Sequence, residues 1–364
     1  MVAAVASVLF GNLVTAMSRV GLGFDLGFLD TTAGFDIAGA PFPYEPSDSY
    51  GQAFLAGLFN TLLVSFLGIV FATALGLIVG VARLSGNWLV SRMAAGYVET
   101  IRNTPLLVQL FFIYFAVLLQ LPTVADSMSL GGSVFLNQRG LFLPSPQPSP
   151  TILPWLLLLA AGVVAGFGLR ALAARREAAG LRTHRLGSIG SLAALIVIPA
   201  IGWVVSSPAP ISLAPPTRQG FNFAGGIALS PEFTAIVVGL VLYTAAFIAE
   251  VVRGGIQAIR RGQVDAAYAL GLTEMQTLRL VILPQALRVI IPPLTSQYLN
   301  LAKNSSLAIA VGYPDLFKVG TTIGNQTGQP VSVIILVMAT YLMISLSISL
   351  LLNLYNRRIQ VIER

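Results

Sequence analysis

From residue 54 to residue 82 the chain runs without a single charged side chain. A bilayer's hydrocarbon core is about 30 Å thick, and a helix needs roughly 20 apolar residues to cross it. Within lipid every backbone N–H and C=O must be paired inside the segment, which leaves helices and closed barrels. Barrel strands need only about 10 alternating residues, so a run of this length is a helix. Comparable apolar runs lie near 2–17, 105–121, 152–168, 189–205, 233–252, 285–310 and 331–352. The expected fold class is therefore an all-α integral membrane protein with about eight transmembrane helices. Composition agrees: 55% of the residues are hydrophobic and 10% are charged, far from the balance of a soluble domain.

The first run is short, and no basic residue precedes it. A signal peptide would look similar, but the basic n-region is missing and further spans follow. It is read as a transmembrane helix whose beginning could be truncated. Cysteine is absent, which excludes disulfides and thiolate metal sites. His184 is the only histidine and is expected in a basic loop; a metal site needs several ligands, so no metal is assigned.

With the N-terminus inside, basic residues gather at four cytoplasmic segments: Arg83 and Arg92, then 170–185, 253–288 and 357–364. Only Arg19, Arg139, Arg218 and Lys318 fall outside, as the positive-inside rule requires. The segment 21–50 carries Asp25, Asp30, Asp36, Glu45 and Asp48 with no base, and is placed outside. The net charge of +7 thus reports topology. Nucleic acid is excluded as a partner, because its recognition needs basic residues collected on one soluble face.

Between the sixth and seventh spans lies VDAAYALGLTEMQTLRLVILPQA, residues 264–286, too polar to cross a membrane yet apolar at helical spacing. Gly254, Gly255 and Gly262 punctuate its start, Gly271 interrupts it and Pro284 closes it. Two short helices joined at a glycine of positive φ are expected. Their apolar face requires a lipid interface or a partner protein.

Asp265-Ala266-Ala267, then Gly271, then Ile282-Leu283-Pro284 resembles the "EAA" loop of bacterial ABC import permeases, with Asp in place of Glu. Asn60-Thr-Leu-Leu, the stretch from Glu99 to Gln109 and Lys303-Asn-Ser-Ser-Leu307 resemble the polar amino-acid permeases of the histidine, glutamate, glutamine, arginine and opine group. Gly23-Phe-Asp25, Gly34-Phe-Asp-Ile37, Ala82-Arg-Leu-Ser85 and Asn356-Arg-Arg-Ile-Gln360 are similar to the first permease subunit of general L-amino-acid importers of the Aap or Bzt type.

The resemblance implies a type I ABC importer permease fold in the bacterial inner membrane, multi-pass, with its C-terminus cytoplasmic. It implies coupling helices in the loop, with Asp265, Ala266, Ala267, Leu270, Gly271 and Leu272 meeting an ATPase dimer. A second homologous permease subunit and a periplasmic amino-acid-binding protein are further implied partners. The chain itself has no G-x-x-x-x-G-K-[ST] segment, and its only lysines are Lys303 and Lys318. It is thus read as a non-catalytic transport subunit that binds no cofactor, the ATP and Mg being used by the partner ATPase. A secondary transporter driven by an ion gradient is the alternative; it would show two related halves, and none is seen. A channel is the third class.

For the substrate, Lys303 stands out. It lies about fifteen residues past Arg288, roughly 22 Å along a helix. A charge at that depth costs at least about 2.5 kcal/mol on insertion scales, so it needs a cavity or a partner. The partner is either a substrate α-carboxylate or Glu250 on the preceding span, which sits nearer the cytoplasmic edge. In the family resembled, the Lys of this motif lies at the transport site. Asn304 offers donor and acceptor without fixed charge, suiting neutral, amide and acidic side chains. Tyr298, Gln297 and Ser305 complete the expected lining.

Pro292-Pro293 should kink or break that span. Thr104 should cap a helix starting at Pro105, with Glu99 and Arg102 as an interfacial pair. Gly76 and Gly80 are spaced for close helix packing. The expected organisation is an N-terminal helix and acidic loop (1–53), a first core part (54–121), an insertion (122–230), a second core part (231–355) containing the coupling loop (253–284), and a tail (356–364). The insertion holds a Pro-rich stretch, 143–150, read as extended linker, and a helical hairpin. The basic turn of that hairpin, 170–185, could touch anionic membrane lipid or act only as a topology determinant.

Overall fold

A computed structural model describes residues 8, 11, 12, 15, 26–40, 42–179 and 184–359. The span expected at 2–17 falls almost wholly outside the described residues, as do Gly23-Phe-Asp25 and the end of the tail. In chain order the helices are α1 (Tyr50–Ala82), α2 (Trp88–Arg102), α3 (Leu106–Phe111), α4 (Ile152–Ala178), α5 (His184–Val205), α6 (Pro231–Gln257), α7 (Arg261–Ala269), α8 (Glu274–Thr277), α9 (Leu283–Asn304), α10 (Leu316–Thr327) and α11 (Pro330–Ile359). The strands are β1 (Met128–Leu130), β2 (Val134–Asn137), β3 (Gly140–Leu143), β4 (Ser145–Pro148), β5 (Ile211–Ala214), β6 (Thr217–Gln219), β7 (Asn222–Ala224) and β8 (Ile227–Leu229). The chain divides into two compact units, Met1–Gln120 with Ser230–Arg364, and Leu121–Leu229.

In the first unit, α1 and α6 pack face to face through missing side chains. A Cβ on Gly76 would stand 2.5 Å from Ile248 Cγ2, and one on Gly80 would stand 2.8 Å from Val252 Cβ. Both helices start at built caps: Ser49 and Gln52 form a capping box, and Ser230 accepts from the Phe233 N–H with Pro231 in the first turn. α6 runs on through Gly254 and Gly255 to Gln257, so these glycines do not end it; Gly255 gives room to Ile290 of α9.

The third expected span is really the second half of a bent pair. α2 and the segment Leu106–Gln120 meet at 105° across Asn103–Pro105. Thr104 does not cap the second helix, because its hydroxyl donates back to the Thr100 carbonyl at 2.9 Å and Pro105 occupies the cap position. α3 then loosens into a π-helical turn, Phe112–Val117. α9 passes through Pro292 and Pro293 without a break. Helices in membranes tolerate such residues where neighbours satisfy the freed carbonyls. The irregularity lies earlier, in the π-helical turn Leu278–Ile282, which joins α8 to α9 so that Pro284 does not close the loop. Glu274–Val311 is consequently one 38-residue helix.

Among the described residues five helices are long and apolar enough to cross a membrane, or six if the bent pair is one span; Ile189–Val205 is shorter. The count of eight was therefore approximate. The segment ahead of α1 folds onto α1, α10 and α11, where Phe28, Ile37, Tyr50, Phe54, Leu316 and Ile323 share one core.

The second unit qualifies the all-helical expectation within a mostly helical chain. α4 and α5 form a hairpin closed by Gly162 against the Ala194 carbonyl and Gly202 against Leu158. His184 opens α5 and is not in a loop. Strands β1, β2, β3 and β8 make one antiparallel sheet, β4 pairs with β5, and β6 with β7. The Pro-rich stretch is thus no free linker: Pro146 sits opposite Leu213 in the β4–β5 ladder. A two-stranded ribbon is all edge, where proline's missing donor is harmless.

Candidate functional site: a docking loop and a polar cavity

α7 ends in a Schellman turn. The Leu272 N–H reaches the Ala267 carbonyl at 3.1 Å and the Gly271 N–H reaches Tyr268 at 2.9 Å, with Gly271 at φ +78°. A capping box of Thr273 and Gln276 starts α8 immediately. The joint is therefore fixed by backbone hydrogen bonds at a residue only glycine fills without strain. Asp265, Ala266 and Gly271 are exposed, Ala267 is buried, Leu272 is half-buried and Leu270 is 82% exposed. Tyr268, Met275 and Leu280 are also exposed; of these, Tyr268 was not singled out from the sequence.

Among the spans, a cavity of about 300 Å³ is lined by Tyr243, Thr244 and Phe247 of α6 and by Gln297, Asn300 and Asn304 of α9. Gln297 and Asn304 are two of the five residues expected to line a substrate site with Lys303, which does not line this cavity. Asn300, Thr244 and Tyr243 were not singled out, although 297, 300 and 304 repeat at helical spacing in an otherwise apolar span. The Arg102 guanidinium lies 5.1 Å from the Phe247 ring centroid, a cation–π contact on the cavity's own aromatic wall.

Lys303 opens on another side of the helix, since successive residues diverge by about 100°. It lines a cavity of about 410 Å³ with Phe317 and Thr321 of α10 and Val333, Met338 and Tyr341 of α11. Tyr298 shares a 2.8 Å hydrogen bond with Thr73 of α1. Ser305 is fully buried and donates to the Ala302 carbonyl at 2.8 Å. The structure thus brings Gln297 and Asn304 together and leaves Lys303, Tyr298 and Ser305 in three other settings.

Glu250 does not pair with Lys303. Its carboxylate is held by Arg83 from the end of α1 and by Arg253 one turn on, with Arg102 of α2 at 3.9 Å. The expected pairing of Arg102 with Glu99 is accordingly replaced; Arg102 turns inward, where an aromatic face and a carboxylate both attract it. Among the described residues Lys303 has no ion pair.

Asn60 and Thr61 belong to a buried polar knot rather than to a cavity. Asn60 donates to the Pro314 carbonyl at 3.0 Å, and the Thr61 hydroxyl accepts from the Leu316 N–H at 2.9 Å. Asp315, 1% exposed, accepts from the Lys318 N–H at 2.9 Å and the Tyr341 hydroxyl at 3.1 Å. Burial pushes its carboxyl up to about 6, against the pull of those donors.

A many-spanning helical bundle with a polar cavity between its spans and an exposed two-helix loop presenting apolar side chains has the build of a membrane transport protein with a surface left for a partner. Residues 72–361 match the family described as binding-protein-dependent transport system inner membrane component, and the chain belongs to that family. It is a multi-pass inner-membrane permease subunit of an ABC importer, which leaves the ion-gradient alternative without support.

The chain is 41% identical to the general L-amino acid transport system permease protein AapQ of Rhizobium johnstonii, over 97% of this chain and 88% of that protein. It is 43% identical to the glutamate/glutamine/aspartate/asparagine transport system permease protein BztB of Rhodobacter capsulatus, over 98% of this chain and 90% of that one. A crystal structure of an amino acid ABC transporter with histidines matches with a TM-score of 0.51 at 24% identity, covering 85% of this chain and 95% of that chain. This last likeness concerns the fold, that of type I importer permeases.

Proposed function

We propose that the chain forms the translocation path for polar L-amino acids, and that the amide-lined cavity between α6 and α9 carries this reading. Three carboxamides and the Thr244 hydroxyl in one cavity, without a fixed charge, suit neutral, amide and acidic side chains. The names of the relatives above point to the same substrates.

Asn304 and Gln297 would contact the substrate side chain. Lys303, free of any described acid, would take the α-carboxylate as α9 turns during the cycle. Tyr298 and Ser305 would join the lining in that rotated state. Asp265, Ala266, Ala267, Leu270, Gly271 and Leu272 would form the seat for an ATPase dimer, which binds ATP and Mg. A periplasmic binding protein would deliver the amino acid, and a second, distinct permease would complete the path. The C-terminus and the docking loop would then be cytoplasmic. The permease core would comprise 54–121 and 231–355, interrupted by the 122–230 insertion, whose basic turn would meet anionic membrane lipid.

Uptake by the transporter reconstituted in vesicles, with a panel of competing amino acids, tests the reading. ATP-dependent uptake suppressed by glutamine, asparagine and glutamate, and not by leucine, is expected. Uptake of none of them refutes it.

A further inference from the structure

At the end of the core away from the docking loop, Asp36 and Lys318 line one small cleft of about 160 Å³ together with Phe35, Gly312, Pro314 and Thr322. Opposite charges share it without pairing: among the described residues no ion pair involves either side chain. Both walls are built. On one, Ala33 and Gly34 donate to the carbonyls of Asp48 and Pro46 at 2.8 and 2.9 Å, the Tyr44 hydroxyl donates to Phe35, and Ile37 is buried. Asp36 is the exposed residue between those two anchors. On the other wall, Lys318 stands in the first turn of α10 and folds back so that its ammonium donates to the Gly312 carbonyl. An ammonium has three protons, so two remain for another acceptor.

A carboxylate and an ammonium that line one cleft without pairing form the complement of a ligand that carries both charges. We propose that this cleft is an external waiting site for an amino-acid zwitterion, with Asp36 receiving the α-ammonium and Lys318 the α-carboxylate. The inference rests on the amino-acid reading above. At about 30 Å³ per water the cleft holds roughly five waters, room for one small polar amino acid. Charge-assisted hydrogen bonds at both ends select the backbone of the ligand and leave its side chain unread. This division of labour differs from that of the carboxamide cavity.

The test uses the assembled transporter in detergent without its binding protein, and reads amide hydrogen exchange with and without millimolar L-glutamine. Added glutamine is expected to protect 33–40 and 312–322. Asp36→Asn and Lys318→Met should each abolish that protection, whereas Lys318→Arg should keep it. No protection in the wild type, or equal protection in both charge-removing variants, overturns the proposal. A second arm adds the binding protein without amino acid: protection of 33–40 and 312–322 there, and none with glutamine alone, also overturns the proposal, because the pair is then a protein-docking contact. Failure of the underlying reading looks different: the same preparation, reconstituted with its binding protein, would take up no amino acid at all.

Discussion

Arg83 and Glu250 join the end of α1 to the end of α6, and Arg253 and Arg102 crowd the same carboxylate. One acid facing three bases is a hub: removing it leaves like charges together, while removing one base leaves the others to serve. Glu250→Gln should therefore destabilise the solubilised subunit by about 1–3 kcal/mol, between the values for exposed and buried pairs. Arg102→Gln should cost less. Thermal unfolding measures both.

Lys303→Met should leave folding intact, since no described acid depends on it, and should retain basal ATP hydrolysis in the assembled transporter. Uptake should fall ten- to hundredfold in apparent affinity, the equivalent of about 1.5–3 kcal/mol for a charged hydrogen bond. With Glu250→Gln the stability effects should simply add, as for groups with no shared contact. Rescue of either defect by the other would contradict the geometry.

Asn304→Asp should invert preference in the carboxamide cavity. A fixed negative charge repels acidic side chains and attracts cationic ones, so competition by glutamate should weaken and that by arginine should strengthen. Asn300→Ala should reduce uptake of amide substrates by roughly tenfold through loss of about one hydrogen bond and an unpaired group. Unchanged competition profiles in both variants would remove the cavity from the path.

Leu270→Ala is the clean probe of the docking loop, because that side chain is almost fully exposed. It should weaken copurification with the ATPase while leaving thermal stability within about 0.5 kcal/mol. Leu272→Ala should do both kinds of damage, as the side chain is half-buried. Normal coupling in the Leu270 variant would show that the ATPase sits elsewhere.

Asp315 gives a pH dependence whose sign is fixed. Its folded value of about 6 lies above the ordinary 3.8, so between these values the folded state binds more protons than the unfolded one. Stability should fall as pH rises through that window, by up to about 3 kcal/mol, and then level off. Asp315→Asn, which keeps an acceptor for the Lys318 N–H, should flatten the profile. A wild-type midpoint that rises from pH 4 to pH 6 would contradict the assignment.

Long apolar runs made the spans of α1, α6 and α11 legible, and Gly271 announced its turn because little else tolerates positive φ. The bend at Asn103–Pro105 was hidden because an apolar count is blind to direction, and a helix of 15 residues with two arginines, α2, fell below it. Strands of three or four residues with prolines leave no period to read, which concealed the sheet of the second unit. In the candidate site, residue type drew attention to Lys303 and Asn304 as neighbours. Helical rotation separates them, and groups Asn304 instead with Asn300 and Gln297. Glu250 looked available to Lys303 only because the ends of α1 and α2, far away in sequence, could not be brought beside it on paper.

The unbroken helix Glu274–Val311 also has a mechanical consequence. Met275 and Asn304 lie about 44 Å apart along one rod. A push on the Met275 end would not stay there. It becomes tilt or torque at the far end, damped only where the π-helical turn lets the shaft flex. If the docking loop is the seat proposed above, the stiffness of that shaft would set how much of a push at Met275 reaches Asn304.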